Sequence, residues 1–276
     1  MLLANAADPA AAIAAFEAEI DLIVPDLQQG KFSDLENRLA CTARRFARIP
    51  LTRPTEAVPT ILLAGEIFVR RDAISRQNIT ERLAEKGFAT ICSPISEWML
   101  YTDYLVKSGR SACKPTFLEF LKLILKSKFK VRYEKRIKSI LSQSGLVSEA
   151  PVNLDHIIKN GSHFISPELG GEAILTVGSA LTEIINHACG VIAIGPFGCM
   201  PNRVAESILS EIMNRKDKLV VDPDSKQLRI ALADIDELPF LAIESDGSPF
   251  PQVINAKLEA FCLRAKRLHE RLYTMN

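Results

Sequence analysis

Residues 190–210 read GVIAIGPFGCMPNRVAESILS. The first five, 190–194, are apolar without alternation, the pattern of a strand buried on both faces of a parallel sheet. A loop with two glycines follows, and Pro201 then sits in the first turn of a helix over 201–214, a favoured place for proline. Strand, short loop and helix in this order make the βα half of a βαβ unit and point to an α/β protein.

Working outward, the same grammar repeats. Residues 60–64 (TILLA) end in Gly65-Glu66, residues 88–92 (FATIC) end in Ser93-Pro94, and residues 240–243 (FLAI) end in Glu244-Ser245-Asp246-Gly247. Helices are predicted over 77–86, 172–188 and 251–273, the last with Val253, Leu258, Phe261 and Leu268 on its apolar side. Residues 218–231 read as a hairpin around Asp222-Pro223-Asp224. The expected fold is α/β: a flavodoxin-like, three-layer parallel sheet of about four strands with right-handed crossovers.

Two segments lie outside this alternation. Residues 8–24 and 31–49 read as helices, with Ile13, Phe16, Ile20 and Ile23 at helical spacing in the first, and Pro50, Pro54 and Pro59 form a stiff connector after them. Residues 98–168 interrupt the sheet as a helical insertion. Between Lys107 and Lys138 it carries eleven Lys and Arg against Glu119 and Glu134. Leu118, Leu121, Ile124, Leu125, Tyr133, Ile137, Ile140 and Leu141 supply it with an apolar stripe. The organisation expected is a helical segment over 1–57 and an α/β domain over 58–276 with the insertion at about 98–168.

The 276 residues are 47% apolar and 24% charged, with a net charge of +1. Such a chain can bury a large core, and nothing global in its charge points to nucleic acid or a membrane. The basic insertion suits an anionic cofactor such as coenzyme A or an acidic partner face, with a solvated helix face as the default. No nucleic-acid motif accompanies it. Residues 1–16 lack a basic leading segment, and no apolar run nears the ~20 residues of a membrane span. A cytoplasmic location is therefore expected, with Cys41, Cys92, Cys113, Cys189, Cys199 and Cys262 as thiols rather than disulfides. No CxxC pair, GxGxxG or GxxxxGK[ST] is present, which leaves a self-contained zinc site, a Rossmann dinucleotide site and a P-loop unsupported.

In an open parallel sheet, ligands bind beyond the carboxyl ends of the strands. That rule gathers Gly65, Glu66, Cys92, Ser93, the loop 195–199, Glu244 and Asp246 on one rim. Cys199 precedes a helix amino terminus, where the dipole and unpaired N–H groups favour a thiolate. Metal ligation, nucleophilic attack, redox work and simple burial in a tight loop all remain open for it. A Cys–His enzyme would need a histidine beside the loop, and His187 belongs to the preceding helix. Glu66 and Glu244 are candidates for acid–base work, with capping of the following turn as the plainer role.

Gly65-Glu66-Ile67, Ser96-Glu97-Trp98, Gly170-Gly171-Glu172-Ala173-Ile174-Leu175, Ile194–Pro201 and Ile243–Gly247 with Leu258-Glu259-Ala260-Phe261 resemble the carboxyl-terminal region of acyl-CoA dehydratase activase-related proteins. These are relatives of 2-hydroxyacyl-CoA dehydratase and benzoyl-CoA reductase subunits. The resemblance runs from Pro59 to the end, and the Cys199 segment is its most specific part. It implies stacked flavodoxin-like domains, a 4Fe–4S cluster held by cysteines, CoA thioester substrates and electrons from an ATP-dependent activase. On this basis Cys199 is the expected metal ligand, joined by Cys92 or by a second subunit or domain of the same family. Gly195, Phe197, Gly198 and Arg203 are expected to hold the cofactor, and Glu66 and Glu244 to act as catalytic groups. The alternative is a scaffold or binding module with no cluster of its own. A homo-oligomer stays open.

Overall fold

The computed structural model describes residues 1–112 and 114–273, with the side chain of Gln227 also outside the description; Cys113 therefore lies beyond the described residues. Two compact units form, one from 1–58 with 99–152 and the other from 59–98 with 153–276.

The second unit is built on four parallel strands: β1 Thr60–Gly65, β2 Ala89–Cys92, β3 Gly190–Pro196 and β4 Phe240–Ser245. Their order is β2-β1-β3-β4. Registers are continuous: Leu63 pairs with Cys92 on one side and with Ile192 on the other, and Ile194 pairs with Ile243. Ile61, Leu62, Leu63, Val191, Ile192 and Ile194 are all essentially inaccessible to water, which explains their unbroken apolar runs.

Helices cover both faces. On one, α4 (Ile79–Glu85) lies beside α12 (Gln252–Tyr273), joined by Lys86 Nζ to Glu259 Oε1 at 2.6 Å and Arg82 Nη2 to Asn255 Oδ1 at 2.7 Å. On the other, α7 (Leu154–Gly161) packs on α8 (Ala173–Glu183), and α8 on α9 (Met200–Ile212). Gly178 allows the first of these crossings, since a Cβ there would lie 2.1 Å from the Ile157 carbonyl oxygen. The result is an α/β, flavodoxin-like three-layer fold. Along α12, Leu258, Phe261 and Leu268 are buried as expected, whereas Val253 is exposed.

Residues 218–231 depart from expectation. They are not a hairpin but belong to two short helices, α10 (Arg215–Val221) and α11 (Lys226–Ala231). Asn214 and Ser225 cap them by accepting from the N–H groups of Asp217 and Leu228. The run Lys218-Leu219-Val220-Val221 looks like a strand, but the caps on either side of Pro223 decide for helix.

The first unit holds α1 (Leu2–Asn5), α2 (Pro9–Gln28), α3 (Leu35–Phe46) and α6 (Phe117–Ser142); α5 (Ile95–Lys107) starts in the second unit and ends in the first. Helix α3 packs against both α2 and α6. Buried Glu19 of α2 accepts from Thr42 Oγ1 at 2.5 Å and pairs with Arg45, both on α3. Thr116 and Glu119 form a capping box at the start of α6. Among the described residues no helix is long and apolar enough to cross a membrane.

Candidate functional site

The order β2-β1-β3-β4 reverses direction between β1 and β3, which makes the gap beyond their carboxyl ends the switch point where such sheets take ligands. Gly65 closes β1 with φ +104°, and a Cβ on it would lie 2.1 Å from the Ile194 carbonyl oxygen. The Glu66 N–H then donates to that same oxygen at 2.9 Å. Only glycine lets β1 stay in contact with β3 up to the turn.

Glu66 itself accepts from the N–H groups of Phe68 and Val69, at 3.0 and 2.8 Å, and so caps the turn after β1. Arg70, buried in this turn, donates from Nη1 to the Gly65 carbonyl at 2.6 Å. Its Nε has no partner among the described residues. Arg71 reaches across to the Ser93 carbonyl at 2.8 Å and ties the ends of β1 and β2 together.

Beyond β3, Phe197 donates its N–H to the Ser245 carbonyl at 2.9 Å, and Gly198 donates to Glu244 Oε1 at 3.1 Å. The loop is thus fastened to the end of β4. The Phe197 side chain points to solvent. Gly198 takes φ +73°, and Cys199 follows as the N-cap residue of α9, half-buried, with its N–H on the Pro196 carbonyl. Arg203, one turn into α9, pairs with Glu206 Oε2 at 2.7 Å and approaches Glu244 Oε2 at 3.5 Å. Asn202 donates to Glu206 Oε1 at 2.6 Å, and its side chain occupies the space a Cβ on Gly195 would need, 2.3 Å away. Burial pushes the Glu206 carboxyl above the ordinary range, Arg203 opposing this and Glu244 adding to it.

The expected residues therefore divide. Gly195, Gly198, Cys199, Arg203 and Glu244 form one connected cluster on the β3–β4 side, and Glu66 stands beside it at the end of β1. Cys92 does not join them. It ends β2, with β1 between it and β3, so two strand spacings of about 5 Å each separate the two strands. Its Sγ faces the Arg70 carbonyl at 3.9 Å, and burial raises its pKa, against the pull of Arg71 and Arg70. Asp246 is exposed and accepts from the Ser248 N–H. His187 precedes β3, at the opposite end of the strand from Cys199, and contacts Glu183 at 3.0 Å.

Two further carboxylates are not evident from sequence. Glu97, in the first turn of α5, is buried at 3% exposure and accepts from Ser179 Oγ at 3.0 Å. Burial pushes its carboxyl up to about 7, with Arg70 pulling the other way. Glu172, hydrogen-bonded to Trp98, is raised by burial and by the nearby Glu66. The one sequence signal for burial is that Glu97 precedes Leu100 and Tyr101 by three and four residues, on the apolar stripe of its helix.

Chemically the rim offers two half-buried thiols at the ends of separate strands, a paired guanidinium and several carboxylates with suppressed ionisation. Among the described residues no group of three or more His, Cys, Asp or Glu is arranged to hold a metal ion. The donor set on this rim, one partly exposed thiol and one turned to a carbonyl across β1, does not by itself make the cysteine set of a cubane cluster. Comparison of the chain with family models, curated proteins and solved structures gives no match in any of the three.

Proposed function

We propose that the chain is a cytoplasmic, iron–sulfur-associated component of a 2-hydroxyacyl-CoA dehydratase or benzoyl-CoA reductase-like system, in which Cys199 contributes a ligand to a cluster completed by a second subunit or domain. The observation that carries this reading is the placement of Cys199. It is the N-cap of α9, partly exposed, in a loop fastened to β4 at the switch point of the sheet. The resemblance of residues 194–201 to the corresponding loop of activase-related proteins supplies the class of chemistry. Bound there, a 4Fe–4S cluster would supply one-electron transfer to a CoA thioester.

This chain's own residues would hold and shape that site. Gly198 and Glu244 fix the loop, Gly195 admits the Asn202–Glu206–Arg203 network behind it, and Phe197 presents an apolar side chain to whatever lies above. A second reading, a scaffold module without a cluster, is favoured by one observation: Glu66, Arg203 and Glu244 are already engaged in caps and pairs that organise the loops.

Anaerobic purification followed by iron and sulfide assay separates the two. A brown, oxygen-labile protein that loses its iron on Cys199→Ser supports the first reading. Protein that stays iron-free after anaerobic reconstitution, alone and with an ATP-dependent activase and candidate partner subunit, overturns it in favour of the second.

A further inference from the structure

Helix α6 turns an apolar stripe outward rather than into its own unit. Leu118, Leu121, Leu125 and Phe129 recur at steps of three and four residues, hence on one face, and Leu118 and Leu125 are 67% and 63% exposed. The opposite face, around buried Ser127, is the one turned inward. Lys122 and Lys126 flank the stripe on one side, and Lys128, Arg132 and Lys135 on the other, all exposed. None of these five cations has an ion pair among the described residues. By contrast Lys130, Arg136 and Lys138 are paired with Asp103, Glu36 and Glu134.

Helix α2 of the same unit carries the complementary pattern. The first thirty residues contain five acids and no Lys or Arg. Phe16, Ile20, Val24 and Leu27 recur at steps of four, four and three, and each is about 40% exposed. Exposed Glu17 and Asp21 run beside them without an ion pair among the described residues, whereas Glu19 and Asp26 are engaged by Arg45 and Arg38. An acidic apolar stripe and a basic apolar stripe thus stand on separate helices of one unit, the first covered only in part, where Phe16 stacks on Phe46, and the second open.

We propose that these two faces are a self-association surface, with α2 of one copy lying on α6 of a second copy and the reverse contact formed across a two-fold axis. An isologous arrangement uses each helix pair twice, which brings two modest stripes toward the ~1,200 Å² of a stable interface. The apolar stripes supply the burial, and Glu17 and Asp21 against the unpaired cations of α6 set the register and exclude the like-with-like pairings α2–α2 and α6–α6. The surface lies in the first unit and is independent of the chemistry proposed for Cys199.

Sedimentation equilibrium of the full chain tests it. The wild type is expected at twice the mass of one chain, with self-association that weakens as salt rises. Glu17→Lys with Asp21→Lys, or Lys122→Glu with Lys126→Glu and Arg132→Glu, should each weaken the dimer by about tenfold or more, since like charges then face each other. Combining both sets in one chain should restore self-association to within roughly threefold of wild type, because opposite charges face again. Circular dichroism verifies that each variant is folded. A wild type that remains a monomer, a dimer insensitive to either reversal, or a combined variant that is not rescued overturns the proposal. So does a monomer that co-sediments with phosphatidylserine vesicles, which would make a membrane surface the occupant of α6.

Discussion

The backbone N–H of Gly198 donates to Oε1 of Glu244 at 3.1 Å, across the gap between the loop that leaves β3 and the carboxyl end of β4. The same carboxylate faces Arg203 through its other oxygen. One side chain therefore fixes both the loop that carries Cys199 and the first turn of the helix that Cys199 caps. A strand-end carboxylate here organises a neighbouring loop rather than its own turn.

Removing that carboxylate should free the loop without unfolding the protein. Glu244→Ala deletes one charge-assisted hydrogen bond and the facing contact with Arg203, together worth about 1.5 kcal/mol, or roughly a tenfold shift between closed and open loop. Iodoacetamide labelling of Cys199, followed by peptide mass spectrometry, should accelerate by about that factor, while Glu244→Gln, which keeps an acceptor, stays near wild type. Cys189 and Cys262 serve as internal references, because burial pushes their thiols up to about 12 and about 11. An unchanged Cys199 rate in Glu244→Ala would show that the loop is held by other contacts.

Two glycines on this rim should respond differently to alanine. Gly65→Ala combines a φ of +104° with a Cβ 2.1 Å from a backbone oxygen that cannot move without separating β1 from β3. A loss of about 3 kcal/mol or more is expected. Gly198→Ala meets nothing within 4 Å and incurs only the left-handed backbone, about 1–2 kcal/mol. Urea unfolding should place the two variants in that order. Equal stabilities would contradict the described approach of β1 to β3.

The two central strands, β1 and β3, were legible because they are buried on both faces, whereas the edge strands β2 and β4 are partly exposed, with Ile91 of β2 open to water. Unbroken apolar runs as short as 60–64 and 190–194 suit a strand covered on both sides, and each strand ends within two residues of where the sequence places it. The rim followed from the fold. What the sequence concealed was which rim carboxylates are buried. Glu97 and Glu206 sit in helices, where glutamate ordinarily faces water, yet both fall on apolar stripes: Glu206 shares one with Asn202, Ala205 and Leu209, all buried. The stripes of α2 and α6 misled in the other sense. Periodicity marks an apolar face but not what covers it, and Phe16, Ile20, Leu118 and Leu125 prove to be exposed.

Lys218 illustrates the hairpin error and carries a prediction. As a strand residue it would alternate toward solvent. As the fourth residue of α10 it is fully buried, donating to the Leu181 carbonyl at 2.6 Å and to Asp222 at 2.9 Å. Lys218→Ala leaves a cavity and an unpaired carbonyl and should cost about 3–5 kcal/mol. Lys218→Met, which keeps the volume of the stem, should lose less. A cost below about 1 kcal/mol for the alanine variant, read from denaturant midpoints at constant slope, would argue against burial of the ammonium.

Glu97 gives the protein a pH dependence whose sign is fixed by burial. Its carboxyl lies near 7 in the folded chain against 4.5 in an exposed one, so the native state holds this proton more tightly than the unfolded state does. Folding is therefore favoured by this group below about pH 4.5, and the benefit drains away as pH rises to about 7. Above that, Glu97 is charged in both states and the stability is flat in pH. With the pull of Arg70 already included, the full swing between about 4.5 and about 7 corresponds to about 3 kcal/mol at most. Glu97→Gln keeps the acceptor for Ser179 Oγ and removes the ionisation. The variant should gain on the wild type as pH rises from about 5 to about 8 in urea titrations, and its profile should lose the slope between those limits. Parallel profiles would mean that Glu97 is already ionised in the folded protein, with Arg70 outweighing burial.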